Sequence, residues 1–296
     1  MAPSRHLSRM IPFEMESALM STVARRVINA RESKQVGKCI YCGSTAGKLT
    51  EEHVTPHGLG GALVLLEASC GDCQDITSAL ERKILRQEFF AARAALRTKT
   101  RRPKERLKPQ PMLIEKDGEI RTIKTLWQDQ WKVIRLPIFP LPAHIDGRPY
   151  SSGIASHSMD VFELGERADD VAKKHGAQRV VMPDCPLEEF ARFVAKIAYG
   201  YAIERYTLEA FDEIFITPAI LGKTNDIGRW VGCSDRRGFQ VRGDHNISVG
   251  FGIILGNDDV IVKVKMFPQF DGAEYVVVVG RMKPVYRNFH SRDELP

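Results

Sequence analysis

Two Cys-x-x-Cys pairs, Cys39-Ile-Tyr-Cys42 and Cys70-Gly-Asp-Cys73, constrain this chain more than any other feature. Two residues between cysteines make a tight knuckle that aims both sulfurs at one point. Two such knuckles supply the four thiolates of a tetrahedral Zn²⁺ site. The chain between them must fold back on itself, and it carries Glu52-His53-Val54-Thr55-Pro56 followed by Gly58-Leu59-Gly60-Gly61. An acid and a histidine are thus held side by side inside a zinc-closed loop, an arrangement able to serve hydrolytic chemistry. Neighbouring strand residues face opposite sides, so the pair can serve one site only at a kinked strand end. Pro56 and the glycines supply the means for such a kink.

The zinc expectation depends on a reducing compartment. No apolar run approaches the roughly 18 residues of a membrane span, and Met1–Met10 lacks the apolar stretch of a secretory signal. A cytoplasmic location with no membrane association is therefore expected, where paired cysteines favour metal over disulfide. Cys185 and Cys233 stand alone and are expected as buried free thiols. Trp127, Trp131 and Trp230 are expected in the core, and histidines other than His53 and His57 stand at no ligand spacing.

Charge is unevenly distributed along the 296 residues. Residues 1–108 carry 19 Lys+Arg against 11 Asp+Glu, and residues 109–296 carry 24 against 26, which together give the net +6. Positive charge thus gathers around the cysteines, as a polyanionic partner requires. Arg97, Lys99, Arg101, Arg102, Lys104, Arg106 and Lys108 stand against Glu105 alone. They read as a solvated linker that can also serve as a phosphate-contacting arm.

Helical spacing of Met15, Leu19, Met20, Val23, Val27 and Ile28 predicts a helix over Phe13–Arg31. The stretch Asp75–Arg97 has no Gly or Pro and predicts one long helix after the second knuckle, with Ile76, Leu80 and Ile84 as its buried stripe. Beyond Pro109, strands are expected at Met112–Glu115, Ile120–Thr125, Val133–Phe139, Arg179–Met182 and Arg229–Cys233. Leu187–Arg205 is expected as a helix, with Gly147–Ser158 and Pro218–Gly228 as loops. Ile247–Leu255, Val260–Phe267 and Tyr275–Val279, separated by turn residues, predict an antiparallel meander. The fold class is α+β, in two parts: residues 1–108 around the cysteines, and an accessory α+β region over 109–296.

The Glu-His-Val-Thr-Pro string, the Gly-Leu-Gly-Gly that follows and the flanking cysteine pairs resemble the HNH endonuclease family over about residues 38–98. Phe193-Val-Ala-Lys-Ile-Ala-Tyr-Gly-Tyr-Ala202, ahead of Ile220-Leu-Gly222, is similar to the tail of some bacterial HNH proteins. The resemblance implies a ββα-metal hairpin beside a structural zinc on Cys39, Cys42, Cys70 and Cys73. It implies His53 as general base, taking a proton from water near neutral pH. Glu52 would be a ligand to catalytic Mg²⁺ or Mn²⁺ that neutralises the scissile phosphate.

The chain departs from the family at two positions. Gln74 stands where a His or Asn ligand is usual, and Leu65 where the middle Asn is expected. Asp75, and Glu81 two helical turns beyond Gln74, are carboxylates able to complete the set. His57 and the basic arm are the expected nucleic-acid contacts, DNA ahead of RNA. The departures motivate a second expectation, a zinc-stabilised nucleic-acid-binding protein with impaired catalysis. The region after Pro109 is the expected surface for a homodimer or protein partner.

Overall fold

A computed structural model describes residues 34–96, 98, 108–234, 246–254 and 257–289. The helix expected at Phe13–Arg31 and the arm cations Arg97, Lys99, Arg101, Arg102, Lys104 and Arg106 lie outside the described residues. The chain begins with strands β1 (Lys34–Gln35), β2 (Thr50–His53) and β3 (Val64–Ser69), then helices α1 (Gly71–Gln87) and α2 (Phe90–Ala95). There follow β4 (Gln110–Lys116), β5 (Glu119–Thr125), β6 (Val133–Ile138), α3 (Ala143–Asp146), β7 (Ser158–Glu163), α4 (Ala168–Lys174) and β8 (Arg179–Val181). After these come α5 (Leu187–Tyr206), β9 (Phe211–Ile214), α6 (Thr217–Ile220), α7 (Ile227–Trp230) and β10 (Val231–Cys233). The series ends with β11 (Ile247–Ile254), β12 (Asp259–Met266) and β13 (Glu274–Met282). The fold is mixed α+β with antiparallel sheets.

The described residues divide into two compact units built from interleaved segments. A single boundary at residue 108 does not describe them. One unit draws on Leu85–Leu136 and Met159–Cys185. Its sheet has the order β5-β4-β8, and Met112, Ile114 and Val171 form its core with Ile123, Trp131, Ala177 and Val180 packed around them. Within this unit Arg135 donates to both carboxylate oxygens of Glu88, at 2.8 and 2.7 Å, with both side chains buried.

That ion pair bears on the expected long helix. Helix α1 stops at Gln87 and α2 starts at Phe90, because Glu88 turns inward to Arg135 while Phe89 is fully buried. At its other end α1 starts inside the second knuckle, at Gly71. The buried stripe of α1 is Cys73, Thr77, Leu80 and Ile84, at helical spacing; Ile76 is only half-buried.

The second unit holds the cysteine segment together with Pro137–Ser158 and the chain from Pro186 onward. Its larger sheet has the order β10-β13-β12-β11, with β9 pairing β13. Strand β12 alternates, burying Val260, Val262, Val264 and Met266. Strand β13 buries Tyr275–Val279 without alternation, as a central strand with both faces covered must. Helix α5 packs on β12 and β13. Phe190 of α5, Phe139 and Tyr275 meet with ring centroids 5.6–6.4 Å apart. The expected meander is present as β11-β12-β13.

Several local expectations are corrected. Ile227–Trp230 forms a helical turn and only Val231–Cys233 is strand, paired with β13. Thr217–Ile220 is likewise helical, and Ser158 opens β7. Trp127, Trp131 and Cys185 are half-buried, whereas Trp230 and Cys233 are buried. Among the described residues no helix is long and apolar enough to cross a membrane.

Candidate functional site

The two knuckles converge. Gly43 N–H donates to Cys39 O at 2.8 Å, closing the first, and Gln74 N–H donates to Cys70 O at 2.9 Å as α1 begins in the second. The four ligand sulfurs of Cys39, Cys42, Cys70 and Cys73 all lie within 4.8 Å of one another, with Cys42 and Cys70 at 3.6 Å. Zn–S bonds of about 2.3 Å in a tetrahedron place sulfurs about 3.8 Å apart, so the four cysteines are close enough to hold a metal such as zinc. Burial pushes the Cys39 and Cys73 thiols up, while the backbone N–H of Cys73 lowers Cys70. Zinc binds thiolates, so loading this cluster would release the protons that burial favours.

The first knuckle is anchored in two directions. Ile40 N–H donates to Ala68 O of β3 at 2.8 Å, and Ile40 O accepts from the Tyr199 hydroxyl of α5. From there β2 runs antiparallel to β3, with Glu52 opposite Leu65 and His53 opposite Val64. A register shift falls between Thr50 and Glu52, one step before the acid–histidine pair. Strand, strand and helix thus follow one another around the cysteines.

The loop after His53 is held at several points. Val54 N–H donates to Leu63 O at 3.1 Å, and Leu59 N–H to Pro56 O at 2.8 Å. Gly60 has φ +91°, a conformation glycine adopts without cost. Gly61 is required for a different reason: a Cβ there would lie 2.1 Å from Thr55 O. Asn246 donates to Leu59 O at 2.8 Å, and the Thr55 and Tyr201 hydroxyls are 2.9 Å apart. At Gly200 of α5 an added Cβ would sit 3.1 Å from Val54 Cγ1, so this helix lies close against the end of β2.

Lys196, on α5, completes the site. Its Nζ lies 2.7 Å from Glu52 Oε1 and 2.6 Å from Glu81 Oε1, and it donates to the main-chain oxygen of His53. The side chains of Lys196 and Glu52 are 1% and 5% exposed, and that of Glu81 is 22% exposed. Burial alone would lower the Lys196 ammonium, but the charges and hydrogen bonds of Glu52 and Glu81 outweigh it and hold Lys196 above its ordinary value. Burial pushes Glu52 up, opposed by Lys196. The buried Tyr41 phenol beside Glu52 is pushed well up, first by burial and then by the Glu52 and Glu81 charges. The half-buried His53 and His57 rings meet edge to face, with centroids 6.5 Å apart.

The structure therefore brings Glu52, Glu81 and the His53 main chain to one point, and His57 next to His53. Gln74 is half-buried on the first turn of α1, and among the described residues no hydrogen bond links its side chain to Glu52, Glu81 or Lys196. Seven residues of helix separate it from Glu81, about 10.5 Å of rise. Leu65 is fully buried opposite Glu52 and serves the core. Lys196 was the site residue that sequence reasoning missed. Its signal was a lone charge inside Phe193-Val-Ala-Lys-Ile-Ala-Tyr, since a lysine in a helix buried all round needs a partner. No family model, curated protein or solved structure matches the chain.

Proposed function

We propose that the protein is an HNH-type endonuclease that hydrolyses phosphodiester bonds of nucleic acid, DNA ahead of RNA, with His53 as general base. The observation that carries this is the convergence of Glu52, Glu81 and His53 O on a single cation position, beside a four-cysteine cluster that fixes the same hairpin. In this reading a neutral His53 imidazole accepts a proton from the attacking water. His57, whose ring lies edge-on to that of His53, would contact the phosphate. Three hard oxygens suit Mg²⁺ or Mn²⁺, while four sulfurs suit zinc. A divalent ion held by Glu52, Glu81 and His53 O would neutralise charge developing on the phosphate. The basic bias of residues 1–108 supports a polyanionic substrate. A cytoplasmic location and a homodimer or protein partner through the region after Pro109 complete the proposal.

One observation favours a second reading. The cation at the convergence point is the Lys196 ammonium, which already occupies the position a catalytic ion would need. That suits a zinc-stabilised nucleic-acid-binding protein with impaired catalysis. The deciding experiment incubates zinc-loaded protein with supercoiled plasmid or single-stranded RNA in Mg²⁺, Mn²⁺ or Ni²⁺, with EDTA as control. Nicking that EDTA abolishes supports the nuclease. Salt-sensitive binding with no cutting under any ion supports the second reading.

A further inference from the structure

We propose that Lys196 and a divalent ion compete for one seat, so that Lys196 sets how much metal the site requires. The inference rests on reading Glu52 and Glu81 as metal-binding acids, and it concerns occupancy of that site rather than its chemistry. Three oxygens define the seat: Glu52 Oε1, Glu81 Oε1 and the His53 carbonyl. All three already accept from the same Nζ, on a side chain that is 1% exposed. Mg²⁺ needs oxygens at 2.0–2.1 Å and near-octahedral order, whereas the carboxylate oxygens here stand at ammonium distances of 2.7 and 2.6 Å. Ion and ammonium therefore exclude one another, and metal enters only as Lys196 withdraws.

Lys196 is not free to swing away at no cost. Tyr199 and Tyr201, on the same helix, are tied to Ile40 O and to Thr55, and Gly200 lies against Val54. The helix that carries the ammonium is thus fastened to both ends of the segment that carries Glu52. The ammonium is the closed state of the cation seat, and its departure is coupled to the fit of α5 on β2.

The test titrates Mn²⁺ into the zinc-loaded full-length protein and follows free Mn²⁺ by electron paramagnetic resonance, with no nucleic acid present. Lys196→Met keeps the stem and removes the charge. It should bind one Mn²⁺ at least about tenfold tighter than wild type, and adding Glu52→Gln or Glu81→Gln should abolish the gain. Lys263→Met, the same loss of charge elsewhere in the unit, should change nothing. A folded Lys196→Met within twofold of wild type overturns the proposal. So does a wild-type protein that already binds one Mn²⁺ at micromolar concentration and loses it on Glu81→Gln. That second arm decides the matter even where Lys196→Met does not fold. If Mn²⁺ affinity rises as expected and plasmid is still uncut, the nuclease reading fails and the competition stands.

Discussion

Replacing Lys196 by Met removes the one positive charge that Glu52, Glu81 and the His53 carbonyl share. Breaking a buried pair by deleting one partner costs about 3–5 kcal/mol, because the other charge stays buried. Glu52 is almost fully buried, so the upper half of that range applies. For a chain of this size the loss corresponds to roughly 8–20 °C in Tm. Glu52→Gln alone leaves the Glu81–Lys196 contact and should cost about 1–3 kcal/mol. The double variant should lose less than the sum of the two, since the buried charge of Glu52 is gone and only the more exposed Glu81 is left without its cation.

The pH dependence carries the sign. In wild type the Lys196 value is raised, so its contribution is full below the ordinary lysine range and is lost as pH rises through the higher folded value. In Lys196→Met the ammonium no longer opposes burial at Glu52, whose carboxyl is pushed further above the ordinary range of about 4.3. The folded variant then holds that proton more tightly than the unfolded chain. Its deficit against wild type should shrink as pH falls from 7 toward 5. Urea unfolding followed by tryptophan fluorescence at both pH values measures this. A deficit below about 1 kcal/mol that does not change with pH would refute the buried trio.

Other expectations follow from single contacts. The purified protein should carry one zinc, and Cys73→Ser or chelation should release it with a large drop in Tm, read by metal analysis and calorimetry; full zinc-independent stability counts against the cluster. Gly61→Ala places a Cβ against Thr55 O, and should cost roughly 1–3 kcal/mol in urea unfolding while loosening the loop after His53. In the other unit, Glu88→Gln leaves Arg135 buried against a neutral partner and should cost about 3–5 kcal/mol.

The parts of this structure that were legible from sequence are those whose signal is local. Two Cys-x-x-Cys spacings placed four sulfurs together, β-rich runs between turn residues marked the β11-β12-β13 meander, and Pro56 with the glycines after it marked a distorted backbone. What escaped depends on partners distant in the chain. The break between α1 and α2 follows from Glu88 meeting Arg135, and nothing in the helix-forming run around it announces that contact. Strands β7 and β9 are short and owe their existence to the strands they pair with. Lys196 joins Glu52 from nearly half the chain away, so the site's own cation could not be found by motif within the cysteine segment.

The most direct test of the account compares wild type with His53→Ala as zinc-loaded, folded proteins on supercoiled plasmid in Mn²⁺. A general base contributes on the order of 10²–10⁴ in rate. Nicking by wild type that falls at least about a hundredfold in the variant, with zinc content and Tm unchanged, is the predicted result. Equal rates in the two proteins would contradict it.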